Sequence, residues 1–308
     1  MNCDTTKVAF WPVLGLLISA GVTAVPLSPP SGKPLLVVTL QSTEIQALDP
    51  LVIRVSLVND TEKPVTLDRW LDDKWGYVGI EMRRNFEGDY VEVGTKYSEH
   101  MKWANVFTPQ PVLLAPNESQ AAYVILFRWK DRAVFRQPGT YELRAWKYVD
   151  CKKVHSEPVA VTVHAIPESE RRVIEQAQDV LDQEIDTDIT ASAVKAARLK
   201  EIERTLSSSN LKKNLRWILA VSDVRQAKAD ESRKRARANC DELRNRVDDV
   251  TADVMGLALA KQYVAMKEWK NAATVLGTIK HVGYETDSLQ KTINYEQECD
   301  RNLNPVDE

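Results

Sequence analysis

The chain has 308 residues, 44% hydrophobic and 28% charged, an ordinary globular composition with room for about two domains. A formal net charge of −3 and a pI near 5.9 argue against a nucleic-acid-binding protein, which carries a basic excess. Eleven glycines leave little material for phosphate-cradling loops.

Lys7 precedes an apolar run from Val8 to Val22, and Val22-Thr23-Ala24 is a small-x-Ala cleavage pattern. The run is short of the ~20 residues of a bilayer span. Residues 1–24 therefore read as a signal peptide and the mature protein as secreted or periplasmic, with no stable membrane span. A retained single-span anchor is the alternative. Residues 25–34, rich in Pro, Ser and Gly, read as a leader. Cys3 leaves with the signal, and Cys151, Cys240 and Cys299 show no C-x-x-C spacing for zinc. Either Cys240 pairs with Cys299 or all the thiols stay free.

From Leu36 the pattern has a period of two. Leu36, Val38 and Leu40 alternate with their neighbours, as do Leu51, Ile53, Val55 and Leu57 around Arg54 and Ser56. Such alternation places one strand face in a core and the other in solvent. Further strands are predicted at Val65–Leu67, Tyr77–Arg83, Tyr90–Val93, Ala121–Trp129, Thr140–Tyr148 and Pro158–His164. Pro138-Gly139 marks a tight turn, because Pro presets its own φ and Gly accepts a positive one. Asn59-Asp60-Thr61 and Asn117-Glu118-Ser119 are glycosylation sequons whose asparagines also suit turns.

Two segments carry a family likeness. Asn59-Asp60-Thr61-Glu62-Lys63-Pro64-Val65-Thr66-Leu67 resembles the early Asn-x-Thr-x-x-Pro-Val-x-Leu segment of BsuPI-type proteinase-inhibitor domains. Phe135-Arg136-Gln137-Pro138-Gly139-Thr140-Tyr141, after the turn at Pro116-Asn117-Glu118-Ser119, resembles bacterial exported immunoglobulin-like domains. The likeness covers Leu36 to Ala165 and implies an all-β immunoglobulin-like sandwich over 35–166.

After Ile166-Pro167 the period becomes helical. Glu168 and Glu170 suit a helix N-terminus, and Ile174, Ala177, Leu181 and Ile185 follow at helical spacing. A helix runs from Ala191 to Leu206, and Asn210 is positioned to cap the next. The run from Leu259 and Ala260 through Tyr263, Lys267, Trp269, Ala272, Leu276 and Ile279 resembles one tetratricopeptide (TPR) unit, with Lys267 at the usual turn glycine. An ordinary helical hairpin is the alternative. The fold expected is thus multidomain: the all-β sandwich, then an all-α TPR-like domain over 167–303 and a tail over 304–308.

No nucleophile elbow, P-loop, dinucleotide fingerprint or H-E-x-x-H is present, so no catalytic, cofactor or metal site is assigned. The basic run Ser232–Arg237 reads as a solvated helix face paired with Asp230, Glu231, Asp241 and Glu242. Candidate partner contacts are Trp70, Asp72, Asp73, Trp75 and Trp103 in β-domain loops, and Tyr263 and Trp269 on the hairpin. The tryptophans either recognise a partner or fold over the end of the core. The function expected is non-enzymatic binding or scaffolding of another protein. Inhibition of an extracytoplasmic proteinase is the alternative, and a carbohydrate-binding module or envelope enzyme the third reading.

Overall fold

The computed structural model describes residues 34–67, 78–93, 112–129, 132–149, 152–184, 193–206, 210–281 and 283–303. The expected signal peptide, the leader up to residue 33, Cys151 and the tail 304–308 lie outside the described residues.

Thirteen strands precede seven helices among the described residues. The strands are β1 (Leu35–Leu40), β2 (Glu44–Gln46), β3 (Leu51–Val58), β4 (Val65–Leu67), β5 (Gly79–Arg84), β6 (Glu87–Val93), β7 (Val112–Leu114), β8 (Ser119–Leu126), β9 (Arg128–Trp129), β10 (Arg132–Ala133), β11 (Gly139–Val149), β12 (Lys152–His155) and β13 (Val159–His164). The helices are α1 (Glu168–Glu184), α2 (Ala193–Thr205), α3 (Asn210–Gln226), α4 (Asp230–Arg244), α5 (Asp249–Ala265), α6 (Trp269–Leu276) and α7 (Tyr284–Leu303).

One sheet has the order β1-β3-β8 and is antiparallel throughout. A second has the order β2-β13-β11-β5-β6, with β12 also on β11, and the β2–β13 pair is parallel. Leu36, Val38, Ile53 and Val55 from the first sheet meet Ile80, Leu143, Ala145, Val161 and Val163 from the second in one apolar cluster. The turn before β11 forms as its residues dictate. Gly139 has φ 145°, and a β-carbon there would stand 2.7 Å from Asn85 Oδ1. The Tyr141 hydroxyl donates to the Gln137 carbonyl at 2.8 Å and closes the turn.

The all-β immunoglobulin-like sandwich followed by a separate all-α TPR-like domain is not what the chain forms. It is a mixed α/β molecule, with a mixed sheet and helices packed onto strands. The reason lies in β3, whose supposed solvent face is covered. Val52 is 1% exposed and joins Phe127 in the same apolar cluster as Trp217, Val254 and Leu257 of the helices. Polar groups seal this seam. Gln41 Nε2 donates to Asn214 Oδ1 at 3.0 Å and to Thr251 Oγ1 at 2.8 Å, while Asn210 Nδ2 donates to the Pro50 carbonyl at 2.7 Å. Asn210, expected to cap α3, is therefore spent on the sheet side. The Asp49 carboxylate instead lies against the start of α3, where the main-chain amides of Asn210 and Leu211 approach it.

Asn59 of the first sequon is fully buried, its amide donating to the Lys63 and Leu114 carbonyls at 2.9 Å each. Asn117 of the second is exposed in left-handed backbone at φ 63°. Cys240 is a free, buried thiol rather than half of a disulfide.

Candidate functional site

Helix α4 is polar along almost its whole length, and Cys240 is its buried residue. Asp230 and Glu231 in its first turn and Arg244 in its last match the helix dipole. Helix α5 is buried nearly all round, and Asp248 caps it by accepting from Thr251 N at 2.9 Å. The α5–α6 turn is a Schellman closure: Glu268 N donates to Tyr263 O at 2.8 Å and Lys267 N to Val264 O at 3.0 Å. Lys267 occupies the left-handed position, φ 59°, that glycine usually takes.

This closure places Glu268 opposite α4. Arg233 Nη1 lies 3.2 Å from Glu268 Oε1, Arg237 pairs with Oε2, and Asn271 Nδ2 donates to Oε2 at 2.7 Å. The Arg237 guanidinium also sits 5.0 Å from the Tyr263 ring centre. Burial pushes the Tyr263 hydroxyl up to about 12. Beyond it, Arg244 lies across α5, donating from Nε to the Ala252 carbonyl at 2.8 Å and from Nη1 to Thr278 Oγ1 at 2.6 Å. Gly256 makes that passage possible, since a β-carbon would stand 2.8 Å from Arg244 Nη2. The result is a cleft of ≈ 570 Å³ between α4, α5 and α6, lined among others by Arg237, Asp241, Arg244, Tyr263 and Asn271. An adjoining cavity of ≈ 610 Å³ shares Arg237, Asp241 and Asn271 with it.

Asp253, 1% exposed, borders the cleft and ties it to the sheet. Its Oδ2 accepts from the Tyr123 hydroxyl at 2.7 Å and its Oδ1 from Lys280 N at 3.1 Å. His281 Nδ1 stands 2.9 Å from Asp253 Oδ2 and 2.9 Å from Arg54 Nη1. One ring nitrogen serves one of these at a time, donating to the carboxylate or accepting from the guanidinium. Burial, reinforced by the bond to Asp253, pushes the Tyr123 hydroxyl far above its usual range.

A second charged surface covers the outer face of the larger sheet. Glu81 pairs with Arg144 at 2.7 Å and Lys153 at 2.5 Å, with His155 at 3.4 Å. Burial acts to raise the Glu81 carboxyl, but hydrogen bonds from Lys153 and Arg144 win and hold it below the usual carboxylate range. Burial lowers His155, and the neighbouring Arg144 charge adds to this. Tyr90 lies between two guanidiniums, Arg144 at 3.8 Å and Arg83 at 4.7 Å from its ring centre.

Of the residues singled out by the sequence, Trp70, Asp72, Asp73, Trp75 and Trp103 lie outside the described residues. Tyr263 and Trp269 flank the α5–α6 turn. Tyr263 is 4% exposed and lines the cleft, and Trp269 is half-buried against the helical core. The basic run of α4 does not pair mainly along its own helix, because Arg233 and Arg237 reach Glu268 on the next hairpin. That partner and the Tyr123–Asp253–His281 group escape sequence reasoning, since no short spacing links them. Among the described residues, no group of three or more His, Cys, Asp or Glu is placed to hold a metal ion.

No family model matches the chain, and no curated protein matches it. Among solved structures it is similar to the sporulation control protein Spo0M from Bacillus subtilis, at a TM-score of 0.28 and 8% identity over 49% of this chain and 56% of that one. It is also similar to a β-glucosidase from Erythrobacter marinus, at 0.25 and 15% identity over 42% of this chain and 15% of that one. A β-glucosidase from Listeria innocua gives 0.24 and 13% identity over 49% and 20%. The chain spans less than two thirds of each of these proteins, and at these TM-scores none of the likenesses bears on activity.

Proposed function

We propose that this chain is an exported, non-enzymatic binding or scaffold protein that holds another protein by surface complementarity at the α4–α5–α6 cleft. The observation that supports this reading is the prearranged wall around Glu268. Two guanidiniums and one amide converge on a single carboxylate at the border of the cleft and its adjoining cavity, so Arg237 and Asn271, which line both, are held before any partner arrives. A preorganised surface loses little side-chain entropy on association. Export rests on the apolar run and cleavage pattern of residues 1–24.

The test is a photo-crosslinking residue at Thr274, an exposed position lining the cleft, in the full chain within its own cell envelope. A discrete cross-linked protein is expected, and Arg237→Glu should abolish it by repelling Glu268 and collapsing the wall. A partner that co-purifies with the chain but never cross-links from Thr274 would place binding elsewhere and overturn the assignment.

A further inference from the structure

Asp241 stands where the cleft and its adjoining cavity meet and lines both. It is exposed, and among the described residues its carboxylate has no ion pair and no hydrogen bond. A helical carboxylate is ordinarily neutralised by basic side chains three or four positions away. Arg237 and Arg244 hold those positions, and both are drawn off across the cleft. Arg237 pairs with Glu268, while Arg244 donates to the Ala252 carbonyl at 2.8 Å and to Thr278 Oγ1 at 2.6 Å. The adjacent Glu242 shows the ordinary arrangement, paired with Arg246 four positions on.

The second open group is the Tyr263 hydroxyl. Tyr263 is 4% exposed and lines the cleft, yet among the described residues its hydroxyl makes no hydrogen bond. A buried tyrosine hydroxyl usually finds a partner. The charge of Asp241 adds to burial in pushing this hydroxyl up, so it stays protonated at neutral pH, with an oxygen free to accept. The other carboxylates on the lining are engaged, Asp249 by Lys280 at 2.8 Å and Asp253 by the Tyr123 hydroxyl at 2.7 Å. Val247, Ala252 and Val275 supply apolar lining beside them. A solvated helix face would account for Asp241 by itself, but it leaves the Tyr263 hydroxyl unexplained.

We infer that the cleft receives a lysine side chain of the partner protein, its ammonium donating to the Asp241 carboxylate and to the Tyr263 hydroxyl oxygen. The lysine methylenes would lie against Val247, Ala252 and Val275, which suits a long apolar stem with a charged head. A compact ammonium also needs no planar slot beside the two resident guanidiniums, as an arginine would. The inference rests on the cleft being the docking surface and adds the feature of the partner that the cleft reads.

The probe is a capped glycine peptide with one central lysine, set against the same peptide with norleucine, which keeps the stem and lacks the ammonium. Both are titrated at millimolar concentration into the full chain carrying tyrosine labelled with carbon-13 at Cζ. Tyr263→Phe identifies the Tyr263 resonance. The lysine peptide should move that resonance to saturation and the norleucine peptide should not. Asp241→Asn, on an exposed helical position, should weaken the response about tenfold or more, and Glu242→Gln should leave it unchanged. No movement of Tyr263, an equal response to norleucine, or equal losses in the two variants would overturn the inference. The cross-link from Thr274 separates the two readings. A cross-link undiminished by Asp241→Asn sinks the lysine contact and leaves the cleft as docking surface. A lysine-specific response that depends on Asp241, without any cross-link in the wild type, supports the lysine pocket and sinks the docking surface.

Discussion

Gly283, at the entry to α7, lies so close to β8 that a β-carbon built on it would collide with the Ala121 carbonyl oxygen. The colliding atom is main chain at the edge of a sheet, so no rotamer change relieves it. Glycine at this position lets the last helix reach β8, and the Gly283 N–H bonds to Thr286 Oγ1 at 2.8 Å just before the helix begins.

Gly283→Ala should therefore separate the helical layer from β8 and destabilise the full chain by about 1–3 kcal/mol, the usual cost of forcing extra volume into a packed contact. Urea unfolding monitored by tryptophan fluorescence measures it. An unchanged midpoint would mean that the loop before α7 does not bear on β8.

Asp49 makes stability depend on pH. Its carboxyl is 1% exposed, and burial pushes it up to about 7 from an ordinary 3.8. The amides of Gln46, Leu211 and Asn210 oppose this shift and the charge of Glu170 adds to it. The folded state binds the proton more tightly than the unfolded one, so stability falls as pH rises from about 4 to about 7 and levels off above. The loss is on the order of 4 kcal/mol as an upper bound. Asp49→Asn should remove this slope and be more stable than the wild type at pH 8, since its amide oxygen still accepts from Gln46 N. Chemical denaturation across pH 4 to 8 checks it, and identical slopes for the two proteins would refute it.

Lys267 tolerates a left-handed backbone so that the Schellman closure can form before α6. Lys267→Gly should stabilise the chain by about 1 kcal/mol, less the entropy that glycine adds to the unfolded chain. A rise in the thermal midpoint is the expected reading, with Lys267→Ala giving none.

Cys240 is fully buried, and burial pushes its thiol up to about 12. The native protein should leave this thiol unmodified by an alkylating reagent that labels it readily in urea, as peptide mass spectrometry would show. Labelling at equal rates in both conditions would mean that α4 opens on its own.

Local pattern alone determined a good deal. Alternation in Leu36 and Val38 gives β1 its buried and exposed faces, Pro138-Gly139 turns the chain into β11, and Glu168 begins α1. Each of these signals lies within a few residues, where backbone preference and solvent contact act directly. Tertiary structure decided what covers each face. The residues of β3 read as a solvated Arg54–Ser56 face, yet helices lie on it, and Val52 is buried by side chains more than a hundred positions away in the chain. The pairing of Tyr123 with Asp253, of Gln41 with Asn214, and of Arg237 with Glu268 likewise has no local signature. A polar residue obeys the same period whether water or a helix stands over it, and only the folded chain distinguishes the two.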